Sequence, residues 1–145
     1  MPTEVKPIYK TTVVSRGGRN GTIRSEDGLL DMQLSLPPTL GGQGTSSNPE
    51  QLFAGGYAAC FANAVIHIAR AKKIHLSDKD VEVSANVSLS QQSTGGFVLA
   101  VSLDTVLVGL VQSEAEQLVH EAHAVCPYSN AVRGNIDVEI SVATR

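Results

Sequence analysis

The 145-residue sequence predicts an α+β fold, on three observations. Period-two apolar patterns recur on both sides of a long uncharged helical stretch. A second, shorter helical pattern precedes one last alternating segment. Turn signals separate the alternating runs. The length fits a single domain spanning residues 1–145. A content of 42% hydrophobic and 17% charged residues is enough for a real core and excludes a disordered chain.

The elements follow in order. Ile8 to Ser15 and Thr22 to Ser25 are expected as strands, separated by the Gly17-Gly18-Arg19-Asn20-Gly21 turn. Leu30, Met32, Leu34 and Leu36 alternate as in a half-buried strand, and Asp27-Gly28 before them is a hairpin signal. Pro37 to Pro49 is a loop that ends in a helix start: Asn48 as cap, Pro49 at the first helical position, Gln51 three after the cap. The first helix is expected over Pro49 to Lys73, with Lys72 and Lys73 at the negative end of its dipole. Gly55-Gly56 inside it calls for a bend or for close packing of another backbone.

Val81, Val83, Ala85, Val87 and Leu89 alternate, Thr94-Gly95-Gly96 turns the chain, and Phe97, Leu99, Val101 and Leu103 alternate on the return. A second helix is expected over Ser113 to Val125, with Ser113 and Glu116 as a capping box. Its apolar stripe runs through Ala115, Leu118, Val119 and Ala122 to Cys126, and Pro127 stops it. Ile136, Val138, Ile140 and Val142 give a last strand. Mainly antiparallel sheets packed against helices are expected.

Between Gln51 and Ala69 no residue carries a formal charge. Gly55, Gly56, Asn63 and His67 interrupt this run, which reads as a buried helix of a soluble protein rather than a membrane span. A helix apolar on all sides must be covered on all sides. One small chain covers it poorly, so an obligate homodimer around this helix is expected. Residues 1–10 lack the apolar stretch of a secretory leader, and the expected location is the cytoplasm. A net charge of −3 with no basic cluster argues against nucleic acid, as does the absence of Trp.

Two cysteines are too few for a disulfide scaffold or a four-cysteine metal site. Each has a plain reading as a small buried hydrophobe. Cys60 lies mid-helix among Ala58, Ala59, Phe61 and Ala62. Cys126 ends a core stripe and precedes Pro127-Tyr128-Ser129-Asn130, a turn in which a sulfur is expected to be partly accessible and mobile. In a reducing compartment a cysteine pair points to redox or metal chemistry rather than to a structural staple. A thiol with pKa about 8.5 is a poor nucleophile at pH 7, and burial makes it poorer. A buried reactive cysteine therefore needs a cation, and the cation a carboxylate to orient it.

Arg16, Arg19, Arg24, Arg70 and Arg133 are the candidate cations. Arg19 stands among glycines, where a backbone can approach a partner; it reads equally as a solvated hairpin residue. Glu50 is the acid entering the first helix, and reads equally as a first-turn acid favoured by the dipole. In one continuous helix Glu50 and Cys60 are about 15 Å apart along the axis. Either the chain bends at Gly55-Gly56, or Glu50 serves the sulfur of a second subunit. His120 and His123 fit a helix C-terminus better than a metal site, HExxH is absent, and Gly41-Gly42-Gln43-Gly44 is not a phosphate loop.

The segments NPEQLFAGGYAACF (Asn48 to Phe61) and VCPYSNAVRGNIDV (Val125 to Val138) together resemble the organic hydroperoxide resistance (Ohr) proteins of the OsmC/Ohr family. GGRNG (Gly17 to Gly21) and LDMQLS (Leu30 to Ser35) match the same family in the same order. The resemblance covers nearly the whole chain, with Gly55 and Ala58 as departures from the family pattern. It implies an OsmC/Ohr-like fold: antiparallel sheets wrapped around central long helices in an intertwined cytoplasmic homodimer. It also implies thiol-dependent reduction of organic hydroperoxides without metal or other cofactor. By motif match Cys60 is the peroxidatic cysteine and Cys126 the resolving one; Arg19 activates Cys60 and Glu50 orients Arg19. The expected reductant is a lipoyl-type dithiol. The competing readings are an OsmC-type peroxidase with broader substrates, a non-catalytic dimer that binds an apolar ligand, and a thiol redox sensor.

Overall fold

A computed structural model describes residues 5–145; Met1–Glu4, the start of the stretch read for a leader, lie outside the described residues. The chain divides into two compact units, Met1–Pro49 and Glu50–Arg145.

In the first unit, β1 (Val13–Arg16), β2 (Thr22–Ser25) and β3 (Asp31–Gln33) form an antiparallel sheet in that order. β2 has the expected bounds. The expected strand from Ile8 narrows to Val13–Arg16: the ladder with β2 ends at Val13↔Ser25, with one further bond from the Glu26 N–H to the Thr12 carbonyl, and the Ile8 side chain is fully exposed. A 3₁₀ turn over Gly18–Asn20 joins β1 to β2. Gly17 and Gly18 adopt positive φ there, 87° and 67°, a conformation that favours glycine. Gly21 closes the turn so tightly that a Cβ would lie 1.8 Å from the Arg16 carbonyl oxygen.

The Asp27-Gly28 hairpin forms as expected. The Gly28 N–H donates to the Ser25 carbonyl at 2.9 Å, and Asp27 Oδ1 accepts from Ser25 Oγ and the Leu29 N–H. The Leu30–Leu36 alternation yields only a short strand. Beyond Gln33 the chain leaves the sheet: Leu34 is buried and bridges in parallel to Ser47, and the Ser35 hydroxyl binds the Ser46 backbone.

In the second unit, α1 (Pro49–Ala71) is one uninterrupted helix. It stops two residues before the expected Lys73, which takes a positive φ of 58° and breaks the helical path. Ile74 N–H then bonds back to the Ala69 carbonyl. Tyr57, Phe61, Ala64, Val65, Ile66 and Ala69 are its buried residues. The long strands β4 (Val81–Gln91) and β5 (Phe97–Leu107) pair antiparallel from Val81↔Leu107 to Gln91↔Phe97. α2 (Gln112–Val125) and the short α3 (Pro127–Val132) follow, and β6 (Glu139–Thr144) completes the sheet in the order β4-β5-β6.

Two sequence expectations need correction here, and one strand takes a direction that the sequence left open. Val111 caps α2, so Ser113 lies inside the first turn and forms no capping box; Glu116 instead accepts from Gln112. Pro127 does stop α2, but the residues after it form α3 rather than a free turn, because Pro suits a first helical position. β6 runs parallel to β5, since the chain crosses over through α2 and α3 before returning.

The core of this unit joins Tyr57, Phe61 and Val65 of α1 to Leu103 and Leu107 of β5, and to Ala115, Leu118 and Ala122 of α2. By length and a mean hydropathy of 1.5, α1 is apolar enough to cross a membrane, and about a third of that window is buried in the chain (33%). Core helices pass the same compositional test.

Candidate functional site

Two sulfurs from distant parts of the sequence meet within the second unit. Cys60 sits midway along α1, half-buried against the core. Cys126 is the residue between α2 and α3: it caps the end of one helix and the start of the other. It is 0% exposed, so the expected accessible, mobile sulfur is not found; the α2 stripe carries it into the core. Both cysteines are free thiols, and their side chains share a hydrogen bond.

Burial pushes the Cys60 thiol above its ordinary pKa. A hydrogen bond from the Tyr128 backbone N–H works in the opposite direction, and Cys126 adds to the rise. Within this environment alone Cys60 is a protonated thiol at neutral pH.

Gly55-Gly56 does not bend α1. Gly56 makes room for an aromatic ring: a Cβ there would lie 2.6 Å from Tyr128 Oη. Phe53 and Tyr57, on the turns of α1 that precede Cys60, form a cluster with Tyr128 of α3, with ring centroids 5.7 to 6.3 Å apart. Aromatic rings thus stand beside Cys60 along α1.

The other two candidate residues are placed within their own elements. Arg19 lies in the 3₁₀ turn of the first unit and is half-buried, unlike its exposed neighbours from Thr11 to Gly18. Glu50 occupies the first turn of α1, also half-buried. Among the described residues no group of three or more His, Cys, Asp and Glu side chains is placed to hold a metal ion.

Sequence reasoning missed a polar network beside the sulfurs. Tyr57 Oη and Ser129 Oγ are 2.6 Å apart, both residues fully buried. His123 Nδ1 lies 2.8 Å from the same Oγ. Arg133 Nη2 donates to the His123 carbonyl at 2.6 Å, and its Nη1 donates to Asn130 Oδ1. Burial raises the Tyr57 pKa. Burial, followed by the charges of Arg133 and His120, lowers that of His123. The available signal was spacing: Tyr57 precedes Cys60 by three residues and Ser129 follows Cys126 by three, one helical turn in each case.

Known proteins share both sequence and fold. A sequence model of the family described as OsmC-like protein matches residues 42–141. An organic hydroperoxide resistance protein-like 2 of Staphylococcus saprophyticus is 46% identical over 96% of this chain and 98% of its own. The crystal structure of an organic hydroperoxide resistance protein from Legionella pneumophila superposes with a TM-score of 0.91. It is 51% identical and covers 95% of this chain and 99% of that one. The OhrB organic hydroperoxide resistance protein of Bacillus subtilis gives 0.85 at 42% identity, over 94% of this chain and 100% of its own. With a family match over most of its length and relatives of this identity, the chain belongs to the OsmC/Ohr family.

Proposed function

We propose that this chain is a thiol-dependent peroxidase that reduces organic hydroperoxides to alcohols through a two-cysteine cycle. The observation that carries the reading is the meeting of two free thiols, Cys60 and Cys126, with aromatic rings beside Cys60 along α1. The chain's relatives are named for organic hydroperoxide resistance.

The Cys60 thiolate attacks one peroxide oxygen, the O–O bond breaks, and the alkoxide leaves as an alcohol after taking a proton. Cys60 is then a sulfenic acid. Cys126 attacks that sulfur, water leaves, and a disulfide joins the two residues. An external dithiol of lipoyl type reduces it by exchange. The aromatic cluster beside Cys60 suits the alkyl chain of a substrate better than hydrogen peroxide.

Burial works against the thiolate, so the cycle needs a cation. Arg19 supplies it in this proposal, and Glu50 orients Arg19 by a carboxylate–guanidinium pair. Because α1 is uninterrupted, Glu50 stands about 15 Å along the axis from the Cys60 of its own helix. Glu50 and Arg19 therefore act on the sulfur of a second copy, in a cytoplasmic homodimer. The uncovered part of an apolar α1 supports the same assembly. Residues 1–145 act in it as one OsmC/Ohr-type domain.

Consumption of tert-butyl hydroperoxide, with dihydrolipoamide as reductant, tests the proposal. The wild-type chain is expected to turn over and Cys60→Ser to be inactive. Cys126→Ser is expected to complete one oxidation and to stop as a sulfenic acid. Equal activity of Cys60→Ser and wild type would contradict the reading.

A further inference from the structure

Three side chains beside the sulfurs have no part in the cycle above. Tyr57 on α1 and Ser129 on α3 are completely buried and 2.6 Å apart, and His123 from the last turn of α2 reaches the same serine hydroxyl. One oxygen thus ties together the three helices that carry the two cysteines. The same segment is held at two more points. Arg133 donates to the His123 carbonyl, and the Tyr128 backbone N–H donates to the Cys60 sulfur.

A serine hydroxyl has one hydrogen to give and accepts through its lone pairs. With His123 neutral the chain is satisfied throughout: Tyr57 donates to Ser129, and Ser129 donates to Nδ1. With His123 charged, Nδ1 becomes a donor. Ser129 then accepts from Nδ1 and either accepts from or donates to Tyr57 Oη; in both arrangements one of the two buried hydroxyl hydrogens loses its acceptor within the junction. A buried donor without a partner is costly, so protonation of His123 loosens the junction.

The groups around His123 are few. Glu116 and His120 line the same cleft on its own helix, Arg133 approaches from the end of α3, and α1 brings the Tyr57 phenol. β6 closes the cleft with Ile140, Ser141 and Val142, none of them charged. Burial, and after it the charge of Arg133, lower the His123 pKa and favour the neutral imidazole at pH 7.

We infer that Tyr57, Ser129 and His123 are positioning residues for disulfide formation: they hold Cys126 where it attacks the oxidised Cys60. The inference rests on the peroxidase reading. In that step the Cys126 sulfur displaces hydroxide from the Cys60 sulfenic acid. An S–S bond forms and the S–O bond breaks; the sulfenic sulfur is reduced and the thiol sulfur oxidised. The proton released by Cys126 joins the hydroxide to give water. Closure demands a narrow geometry, with Cβ atoms about 3.5–4.5 Å apart, so a junction that fixes α3 against α1 controls its rate.

The test is a rate for each step, read with tert-butyl hydroperoxide by intact mass spectrometry, with dimedone trapping the sulfenic acid. Tyr57→Phe and Ser129→Ala are expected to form the sulfenic acid within about twofold of the wild-type rate. They are expected to close the disulfide roughly 3- to 10-fold more slowly, the weight of one hydrogen bond, and to accumulate the dimedone adduct. The wild-type closing rate should fall as His123 is protonated, below the ordinary imidazole range. His123→Asn, whose Oδ1 can replace Nδ1 as acceptor, should close normally at pH 7 and lack that inflection. Wild-type closing rates in both Tyr57→Phe and Ser129→Ala, or equal slowing of both steps, would overturn the inference. A wild-type protein that keeps both thiols would overturn the peroxidase reading and this inference with it.

Discussion

Cys60 is held as a thiol by its own burial, and its reactivity depends on what opposes that burial. If Arg19 is the opposing cation, Arg19→Ala should move the pH profile of Cys60 alkylation upward by about one to two pH units, the span one desolvated cation supplies. Iodoacetamide labelling followed by peptide mass spectrometry measures it; an unmoved profile would remove Arg19 from the account. At this scale the sequence was informative about identity and poor about environment. The sequence marks out Cys60 and Cys126 as candidates, and the structure brings the two side chains together. That Cys126 is fully enclosed was not legible, because enclosure depends on how the junction of α2 and α3 packs into the core. Nor was the Tyr57–Ser129–His123 junction, whose members lie up to 72 residues apart and meet only through packing.

The elements divide by the range of the interactions that form them. β4 and β5 were readable from alternation because each is a long ladder with one face on the core. β1 and β3 came out shorter than their apolar patterns, since a strand extends only as far as a neighbour pairs with it. β6 was readable from alternation as a strand, but its parallel direction was not, because the pattern is the same for either direction of pairing. Leu118 is the central contact of α2 with the core and is completely buried. Leu118→Ala should cost about 2–5 kcal/mol in urea unfolding; a change under about 1 kcal/mol would place the core elsewhere.

Within the sheet, Asp104 of β5 accepts from Ser141 of β6 at 2.7 Å and from Asn86 of β4 at 2.9 Å. These bonds hold its carboxyl below the ordinary value of 3.8. A depressed carboxylate pKa contributes stability that is complete above the unfolded value and is lost as pH falls through the folded one. Acid titration of stability should therefore be shallower below about pH 3.8 in Asp104→Asn than in wild type. Identical acid profiles would show that the pairing contributes nothing.

For the whole molecule, the chain leaves Ala59, Asn63 and His67 of the apolar α1 exposed, along with Phe97 and Val98 of β5. A helix of this composition requires cover. Light scattering on the purified protein should give twice the chain mass of 15.2 kDa; a stable monomer would remove the shared active site in which Glu50 and Arg19 serve a second copy.

In the proposed cycle Cys60 and Cys126 form a redox pair driven by organic hydroperoxide. The most direct measurement is a thiol count and intact mass on fully reduced protein, before and after one equivalent of an alkyl hydroperoxide per chain. The account predicts loss of both thiols and a mass lower by two hydrogens, with the disulfide mapped to Cys60 and Cys126. Retention of both thiols would contradict it, and the cysteines would then be core residues of a protein with another function.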